Sequence, residues 1–106
     1  MELDTLLKEL TQKYAFTEVN YKVDEDQSPN LEVCFHLTKA QIEKVISKAG
    51  RMDDFVSTCA NMVQIFDSTI PMELLLQTTV RCAGKDQLII RTVEPMLKLL
   101  AELIFG

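Results

Sequence analysis

The sequence predicts a single α+β domain over residues 1–106, in which helices pack on a four-stranded, mainly antiparallel sheet. Two observations favour this class. Some segments space their apolar residues three and four apart, as one face of a helix requires, whereas others alternate apolar and polar residues, as a half-buried strand requires. The alternating segments also come in two pairs, each joined by a polar connection, which is typical of hairpins. The predicted order of elements is α-ββ-α-α-ββ-α.

The first half of the chain is predicted to hold one helix and one hairpin. Helical spacing of apolar residues, with acids placed four residues before bases, indicates a helix over residues 2–14. Two strands rich in β-forming residues follow at 16–23 and 31–37. The polar connection 24–30 joins them as a hairpin. The residues expected to share one face are Thr17, Val19, Tyr21 and Val23 in the first strand and Leu31, Val33, Phe35 and Leu37 in the second.

Two helices are predicted in the middle of the chain. Thr38, followed three residues later by Gln41, resembles a capping box, and Gly50 is placed to end this helix in the left-handed conformation. A second helix is predicted over residues 53–67. Pro71 follows its end, in a segment that breaks the helical pattern.

The last part of the chain is predicted to hold the second hairpin and a final helix. Apolar residues alternate from Met72 to Cys82, which predicts a long strand, and a turn at 83–86 leads to a partner strand at 87–92. Pro95 is well tolerated in the first turn of a helix, so the last helix is expected to run from there to Phe105.

Charge and cysteine content limit the possible partners. The net charge is −5 and the bases form no separate patch, so binding to a phosphate backbone is not expected. No apolar run approaches the ~18 residues of a membrane span, and Glu2 and Asp4 stand where a signal peptide needs positive charge. Cys34, Cys59 and Cys82 are widely spaced, which favours reduced thiols over a disulfide framework. We therefore expect a cytoplasmic protein without a membrane partner.

The sequence offers one candidate catalytic arrangement, and it contains the only histidine. Cys34 and His36 are two residues apart on a predicted strand, so their side chains share a face and could act as nucleophile and base. With Cys59 and Cys82 they could also supply four zinc ligands. Structural zinc sites normally bring thiols in close pairs, which this chain lacks, so no metal is expected.

A calcium site in the acidic connection 24–30 is also not expected. An EF-hand loop starting at Asp24 would need Gly at its sixth position and Glu at its twelfth. Those positions hold Pro29 and Phe35. The connection is better interpreted as a solvated turn, and no cofactor is predicted.

Two helices differ from ordinary surface helices and suggest an interface. Residues 55–66 include no charged side chain, and residues 96–105 are apolar around most of the helix. The expected interface residues are Ser57, Asn61, Met62, Gln64, Phe66, Met96, Leu99 and Leu103. The alternative is that the last helix lies in a groove of its own domain, with Phe105 fraying at its end.

These patterns predict a non-enzymatic protein–protein interaction module, acting as an adaptor, regulator or small acidic chaperone and as a homodimer. The alternative function is a small enzyme or ligand-binding domain that uses Cys34 and His36. In outline, the small size, acidity, two hairpins and amphipathic last helix resemble the roadblock-type dimerisation domains and the small secretion chaperones. The helix at 38–50 and the lack of a fifth strand differ from both groups.

Overall fold

The computed structural model describes residues 3–23, 31–49, 58, 73 and 77–106. The helices are α1 (Leu3–Tyr14), α2 (Lys39–Lys48) and α3 (Glu94–Phe105), and the strands are β1 (Glu18–Val23), β2 (Leu31–His36), β3 (Thr79–Ala83) and β4 (Gln87–Thr92). The predicted α+β class and order of elements are confirmed. The helix predicted at 53–67 lies outside the described residues except for Thr58, which is helical and buried. Within these ranges, no helix combines the length and apolar character needed to cross a membrane.

The four described strands form one antiparallel sheet in the order β1-β2-β4-β3. Both predicted hairpins are present, and they join where β2 pairs with β4, so that Leu31 lies opposite Thr92 and Val33 opposite Ile90. This arrangement makes β2 and β4 the central strands. β1 and β3 lie at the two edges of the described sheet.

The hydrophobic core lies on one face of this sheet. In β2, Leu31, Val33 and Phe35 are buried while the residues between them are only half-buried, as the alternation predicted. All three helices reach the same core. Its buried helical residues are Leu6, Leu7 and Leu10 of α1, Val45 of α2, and Met96, Leu97, Leu100, Ala101, Ile104 and Phe105 of α3.

The opposite face of the sheet, here called the polar face, carries mostly polar and charged side chains. Strand alternation and register assign to it Glu18, Asn20, Lys22, Glu32, Cys34, His36, Arg81, Gln87 and Arg91, together with Ile89. Most of these side chains are at least partly accessible to solvent. Any chemistry or binding on the sheet therefore has to use this face or the edges.

An aromatic cluster fixes the end of α3 in the core. The ring centroids of Phe16 and Phe105 are 4.7 Å apart, those of Phe16 and Phe35 are 4.9 Å apart, and Tyr14 lies against both Phe16 and Phe105. Phe105 is only 3% exposed. The end of α3 therefore packs in its own domain, and the fraying of Phe105 that the alternative included is not observed, because the ring contacts three other rings.

The capping box predicted at Thr38 is confirmed. The Thr38 hydroxyl accepts a hydrogen bond of 3.2 Å from the Gln41 backbone, and the Gln41 side chain accepts one of 2.8 Å from the Thr38 backbone. Gln41 Nε2 also donates to the carbonyl of Tyr14, the last residue of α1. The cap therefore links the start of α2 to the end of α1.

The strand predicted from Met72 to Cys82 is confirmed from Thr79 onward and wrong at Glu73, Gln77 and Thr78, while residues 72 and 74–76 lie outside the described residues. β3 begins at Thr79, and Glu73 is helical. Thr79 lies opposite Arg91, and the Thr78 hydroxyl just before the strand is 2.9 Å from that of Thr92, the last residue of β4. A short apolar run can fit a helix as well as a strand, and periodicity alone cannot separate the two structures.

The residue that follows α1 offers a direct test of the local geometry. Ala15 has a φ of 57°, in the left-handed region, which costs a residue with a Cβ roughly 1–2 kcal/mol. Ala15→Gly is expected to raise the free energy of unfolding by about 0.5–1 kcal/mol, because glycine removes this cost but adds chain entropy to the unfolded state. Urea denaturation measures the change.

The matched control for this prediction is Ala40→Gly. Ala40 is exposed in the first turn of α2, so the same chemical change there is expected to lower stability by about 0.5–1 kcal/mol. Opposite signs at the two positions support the left-handed turn. A loss of stability in Ala15→Gly would contradict it.

Candidate functional site

The side chains best suited to chemistry lie together on the polar face. His36 Nε2 is 3.7 Å from Cys34 Sγ, 3.5 Å from Glu18 Oε2 and 3.4 Å from Asn20 Nδ2. Cys34 Sγ is also 3.7 Å from Gln87 Oε1. The sheet register brings these groups together, since Glu18 lies opposite His36 and Asn20 opposite Cys34. The expectation that Cys34 and His36 share a face is therefore confirmed.

The electrostatic surroundings of Cys34 oppose its use as a nucleophile. Burial raises the pKa of the Cys34 thiol, Arg81 lowers it, and the carboxylates of Glu18, Glu32 and Asp86 raise it further. The reactive species in cysteine chemistry is the thiolate, which forms in electropositive surroundings. Cys34 and His36 thus have the proximity of a catalytic pair without the charge environment that would activate the thiol.

A charged network crosses the same face. Glu32 Oε2 is 2.9 Å from Lys22 Nζ, and Glu32 Oε1 is 3.3 Å from an Arg81 guanidinium nitrogen. β4 lies between β3 and β2, so the ion pair with Arg81 spans the sheet above that strand. The Glu32 side chain is only 14% exposed, which shields it from solvent more than its two partners. Glu32 therefore connects both edge strands to the centre of the sheet.

This network predicts a specific dependence of stability on pH. The Lys22 ammonium holds the pKa of Glu32 below its ordinary value of 4.5. Burial acts in the opposite direction, and Arg81 lowers the pKa further. A carboxyl group with a lowered pKa stabilises the fold above the ordinary value and loses this effect as the pH falls through the lowered one. Glu32→Gln should therefore be less stable than the unchanged protein near pH 7, and the difference should disappear as the pH falls through the lowered pKa of Glu32.

Urea denaturation at several pH values tests this expectation. Glu43→Gln is the control, because Glu43 is exposed on α2 and remote from the network. The control should show little difference at any pH. A constant difference for Glu32→Gln between neutral and acidic pH would contradict the role of the ionised carboxylate.

A hollow on the polar face is small for a ligand site. Its volume is ≈ 210 Å³, below the roughly 300–1,000 Å³ of typical small-molecule pockets. Its lining residues are Asn20, Tyr21, Lys22, Glu32, Cys34 and Ile89. Lys22 and Glu32 pair with one another, and Asn20 and Cys34 contact His36, which leaves few polar groups to orient a ligand.

The outer side of strand β1, residues Glu18–Val23, is here called the β1 edge. It differs from the rest of the described surface in its exposed apolar side chains. Five of its six residues are exposed. Tyr21 and Val23, on the same face of the strand, are 40% and 55% exposed, and they are the exposed large hydrophobic residues of the described chain. A groove of ≈ 330 Å³ runs between this strand and α1, lined in part by Leu7, Val19 and Tyr21. The β1 edge therefore combines exposed apolar side chains with a strand that pairs on one side only within the described sheet.

The residues expected at an interface are only partly described. Ser57, Asn61, Met62, Gln64 and Phe66 lie outside the described residues. Met96 is buried in the core, whereas Leu99 and Leu103 are half-buried and pack against it. In α3, Leu99 and Leu103 retain part of their apolar surface, and Pro95 in the first turn is exposed.

Sequence reasoning missed Tyr21 and Val23 as candidate contact residues. Alternation placed them on one face of a strand, but periodicity alone does not tell whether another element covers that face. Their exposure depends on the position of β1 at the edge of the sheet, which is set by the pairing of β2 with β4. The local sequence gave no signal for this pairing.

The oxidation state of the cysteines differs from the expectation of three reduced thiols. Cys34 is a free thiol, but Cys82 is disulfide-bonded, so that expectation is wrong for Cys82. Among the residues placed by the structure, no group of three or more His, Cys, Asp or Glu side chains could hold a metal ion.

Comparisons with known proteins were made at three levels. No protein-family model matches the chain, no curated protein matches it, and no solved structure matches it.

Proposed function

We propose that this chain is a non-enzymatic protein–protein interaction module that acts as a homodimer, in the role of an adaptor, regulator or small acidic chaperone. The observation that carries the proposal is the β1 edge, where an exposed strand presents Tyr21 and Val23 to solvent. Exposed edges readily accept another strand, and evolved proteins usually cover or blunt them. The half-buried Leu99 and Leu103 of α3 offer a second apolar surface.

The net charge of −5 supports a protein partner over a nucleic acid. A cytoplasmic location is part of the proposal, and the disulfide at Cys82 weighs against it because stable disulfides are rare in reducing compartments. Comparing the mass of the protein from its native host before and after reduction tests the location independently of the interaction.

The competing function is a small enzyme that uses Cys34 and His36. One observation favours it, the 3.7 Å separation of Cys34 Sγ from His36 Nε2. The raised pKa of Cys34 opposes it, because burial and nearby carboxylates keep the thiol protonated. The interaction module is therefore the better supported of the two functions.

Sedimentation equilibrium tests the homodimer. Because one strand pair buries less surface than a standard interface, the measurement should extend to about 100 micromolar protein. The expected result is a species of twice the 12.1 kDa chain mass. A mass of 12.1 kDa throughout that range would contradict the homodimer.

Alkylation of Cys34 tests the enzyme. At neutral pH, iodoacetamide should modify Cys34 more slowly than the cysteine of a short unstructured peptide, because less thiolate is present. Mass spectrometry of the peptide containing Cys34 follows the reaction, and Cys34→Ser serves as the control. Alkylation much faster than that of the reference peptide would instead favour a catalytic thiol.

A further inference from the structure

The β1 edge has a sequence that matches a second copy of itself. Alternation puts Glu18, Asn20 and Lys22 on the polar face and Val19, Tyr21 and Val23 on the opposite face. In an antiparallel ladder, residues directly opposite one another lie on the same face of the sheet. Two copies of β1 that extend one continuous sheet can therefore pair only in registers that keep these two sets apart.

We propose that two chains associate through antiparallel pairing of their β1 strands, with Asn20 opposite Asn20 of the second copy. The inference rests on the homodimer proposed above and specifies its interface. A two-fold axis through the Asn20 pair makes every other contact occur twice. The two four-stranded sheets then join into one sheet across this axis.

Charge complementarity selects this register. With Asn20 at the axis, Glu18 lies opposite Lys22 of the second copy, and the symmetry repeats the pair. Their side chains are 62% and 74% exposed, so both can reach across the new strand pair. Moving the axis to Val19 or Tyr21 still keeps polar residues opposite polar ones and apolar residues opposite apolar ones. It removes both pairs of opposite charge, however.

The contacts that these two side chains already make do not prevent the pairing. Lys22 Nζ is 2.9 Å from Glu32 Oε2, but an ammonium has three N–H groups and can serve two carboxylates. Glu18 Oε2 is 3.5 Å from His36 Nε2, which leaves its other acceptor positions available. In the dimer each Lys22 would therefore lie between two carboxylates.

The other face of the strand supports the same register. Val19 lies opposite Tyr21 of the second copy, and an aromatic residue paired with a β-branched one stabilises a sheet. This pairing would cover part of the exposed Tyr21 ring. β3, the opposite edge of the described sheet, is a poorer candidate because only two of its five residues are exposed.

Charged residues on an edge strand also explain why other strands would be rejected. A strand without complementary charges would leave Glu18 and Lys22 opposite apolar or like-charged side chains, which is a common device against unwanted edge pairing. A second copy in the Asn20 register satisfies both charges. The same residues thus exclude most strands and accept this one.

Charge reversal and complementation test the register. In a dimer of Glu18→Lys, the new lysine faces Lys22 of the second copy, and symmetry repeats the pair. In a dimer of Lys22→Glu, the new glutamate faces Glu18 in the same way. Each variant should therefore dimerise at least about tenfold more weakly. Mixed in equal amounts, the two variants should form a heterodimer, because each lysine then faces a glutamate. The double variant Glu18→Lys with Lys22→Glu should dimerise by itself.

Glu43→Lys is the matched control, since it makes the same change in charge on an exposed position of α2. It should leave the dimer unchanged. Thermal unfolding of every variant, followed by circular dichroism, separates loss of association from loss of folding. If Lys22→Glu does not fold, Glu18→Lys and the cysteine variants still test the register.

Cysteine cross-linking tests the axis directly. Asn20→Cys should form a covalent dimer on mild oxidation, because opposite Cα atoms about 4.5–5.5 Å apart suit a disulfide. Cys34→Ser must be included, since Asn20 lies opposite Cys34 within the chain. Lys22→Cys in the same background should not cross-link efficiently, because four residues of offset separate the two sulfurs by roughly 13 Å.

The outcomes separate this inference from the proposed function. A dimer that persists in Glu18→Lys and Lys22→Glu and does not cross-link at position 20 would overturn the β1 interface and leave the homodimer standing. Loss of dimer in both variants without rescue in the mixture would overturn the register. A protein that stays monomeric at every concentration would overturn both proposals.

Discussion

Phe105→Ala is expected to lower the free energy of unfolding by about 3–5 kcal/mol. Phe105 is 3% exposed, and its ring packs against those of Tyr14, Phe16 and Phe35. Alanine would leave a cavity between these three rings that the surrounding structure can only partly fill. A loss of this size is a large share of the roughly 5–15 kcal/mol that stabilises a typical domain.

Two variants calibrate this result in urea denaturation followed by circular dichroism. Phe105→Leu keeps an apolar side chain of similar reach and should cost about 1–2 kcal/mol. Glu102→Ala changes the same helical turn on its exposed side and removes only the exposed 3.8 Å ion pair with Lys13, so it should cost about 0–1 kcal/mol. If Phe105→Ala cost no more than Glu102→Ala, the end of α3 would be frayed.

The end of α3 has a second anchor besides the aromatic cluster. Lys48 of α2 donates a hydrogen bond of 3.0 Å to the carbonyl of Leu103 and another to the carbonyl of Gly106. The last turn of α3 has no basic residue of its own, and a cation near a helix C-terminus is stabilising. This contact explains why an apolar side chain near the end of α3 can remain packed.

Leu100→Glu is expected to abolish the folded state, whereas Leu99→Glu should fold with reduced stability. Leu100 is 0% exposed, and an unpaired carboxylate there would cost several kcal/mol. Leu99 is half-buried, so a glutamate there can turn its carboxylate toward water. Circular dichroism and thermal unfolding distinguish the two results.

The same pair of variants tests whether α3 contacts a partner. If Leu99→Glu remains folded and also remains dimeric in sedimentation equilibrium, α3 contributes little to association. If it remains folded but becomes monomeric, the interface includes this side of α3, as its apolar sequence predicted. A folded Leu100→Glu would contradict the placement of that residue in the core.

The elements that depend on local signals could be predicted from the sequence. The capping box at Thr38 and Gln41 involves residues three apart, and alternation along β2 separated Phe35 from Cys34 and His36 correctly. Each of these features is decided by neighbours in the chain, so periodicity and propensity contain the needed information.

The features that depend on tertiary pairing could not be predicted. Alternation along the chain did not show that β3 begins only at Thr79, and the exposure of Tyr21 follows from the position of β1 at an edge. Burial in the folded sheet raises the pKa of Cys34, and Arg81 and Asp86, which lie far from it in the sequence, shift that pKa down and up respectively. Proximity of Cys34 and His36 was therefore predictable, but the charge that opposes their reactivity was not.

The pairing of β2 with β4 also has a consequence for how the chain folds. Each hairpin closes locally, but Val33 and Ile90, which meet in the centre of the sheet, are separated by more than half of the chain. Closing so long a loop before its contacts form slows folding. During synthesis the first hairpin leaves the ribosome before β4 exists, so Val33 and Phe35 stay without their final neighbours until the second hairpin docks. We expect this docking to limit the folding rate. We also expect the first hairpin, before the second one pairs with it, to be the species most prone to aggregate.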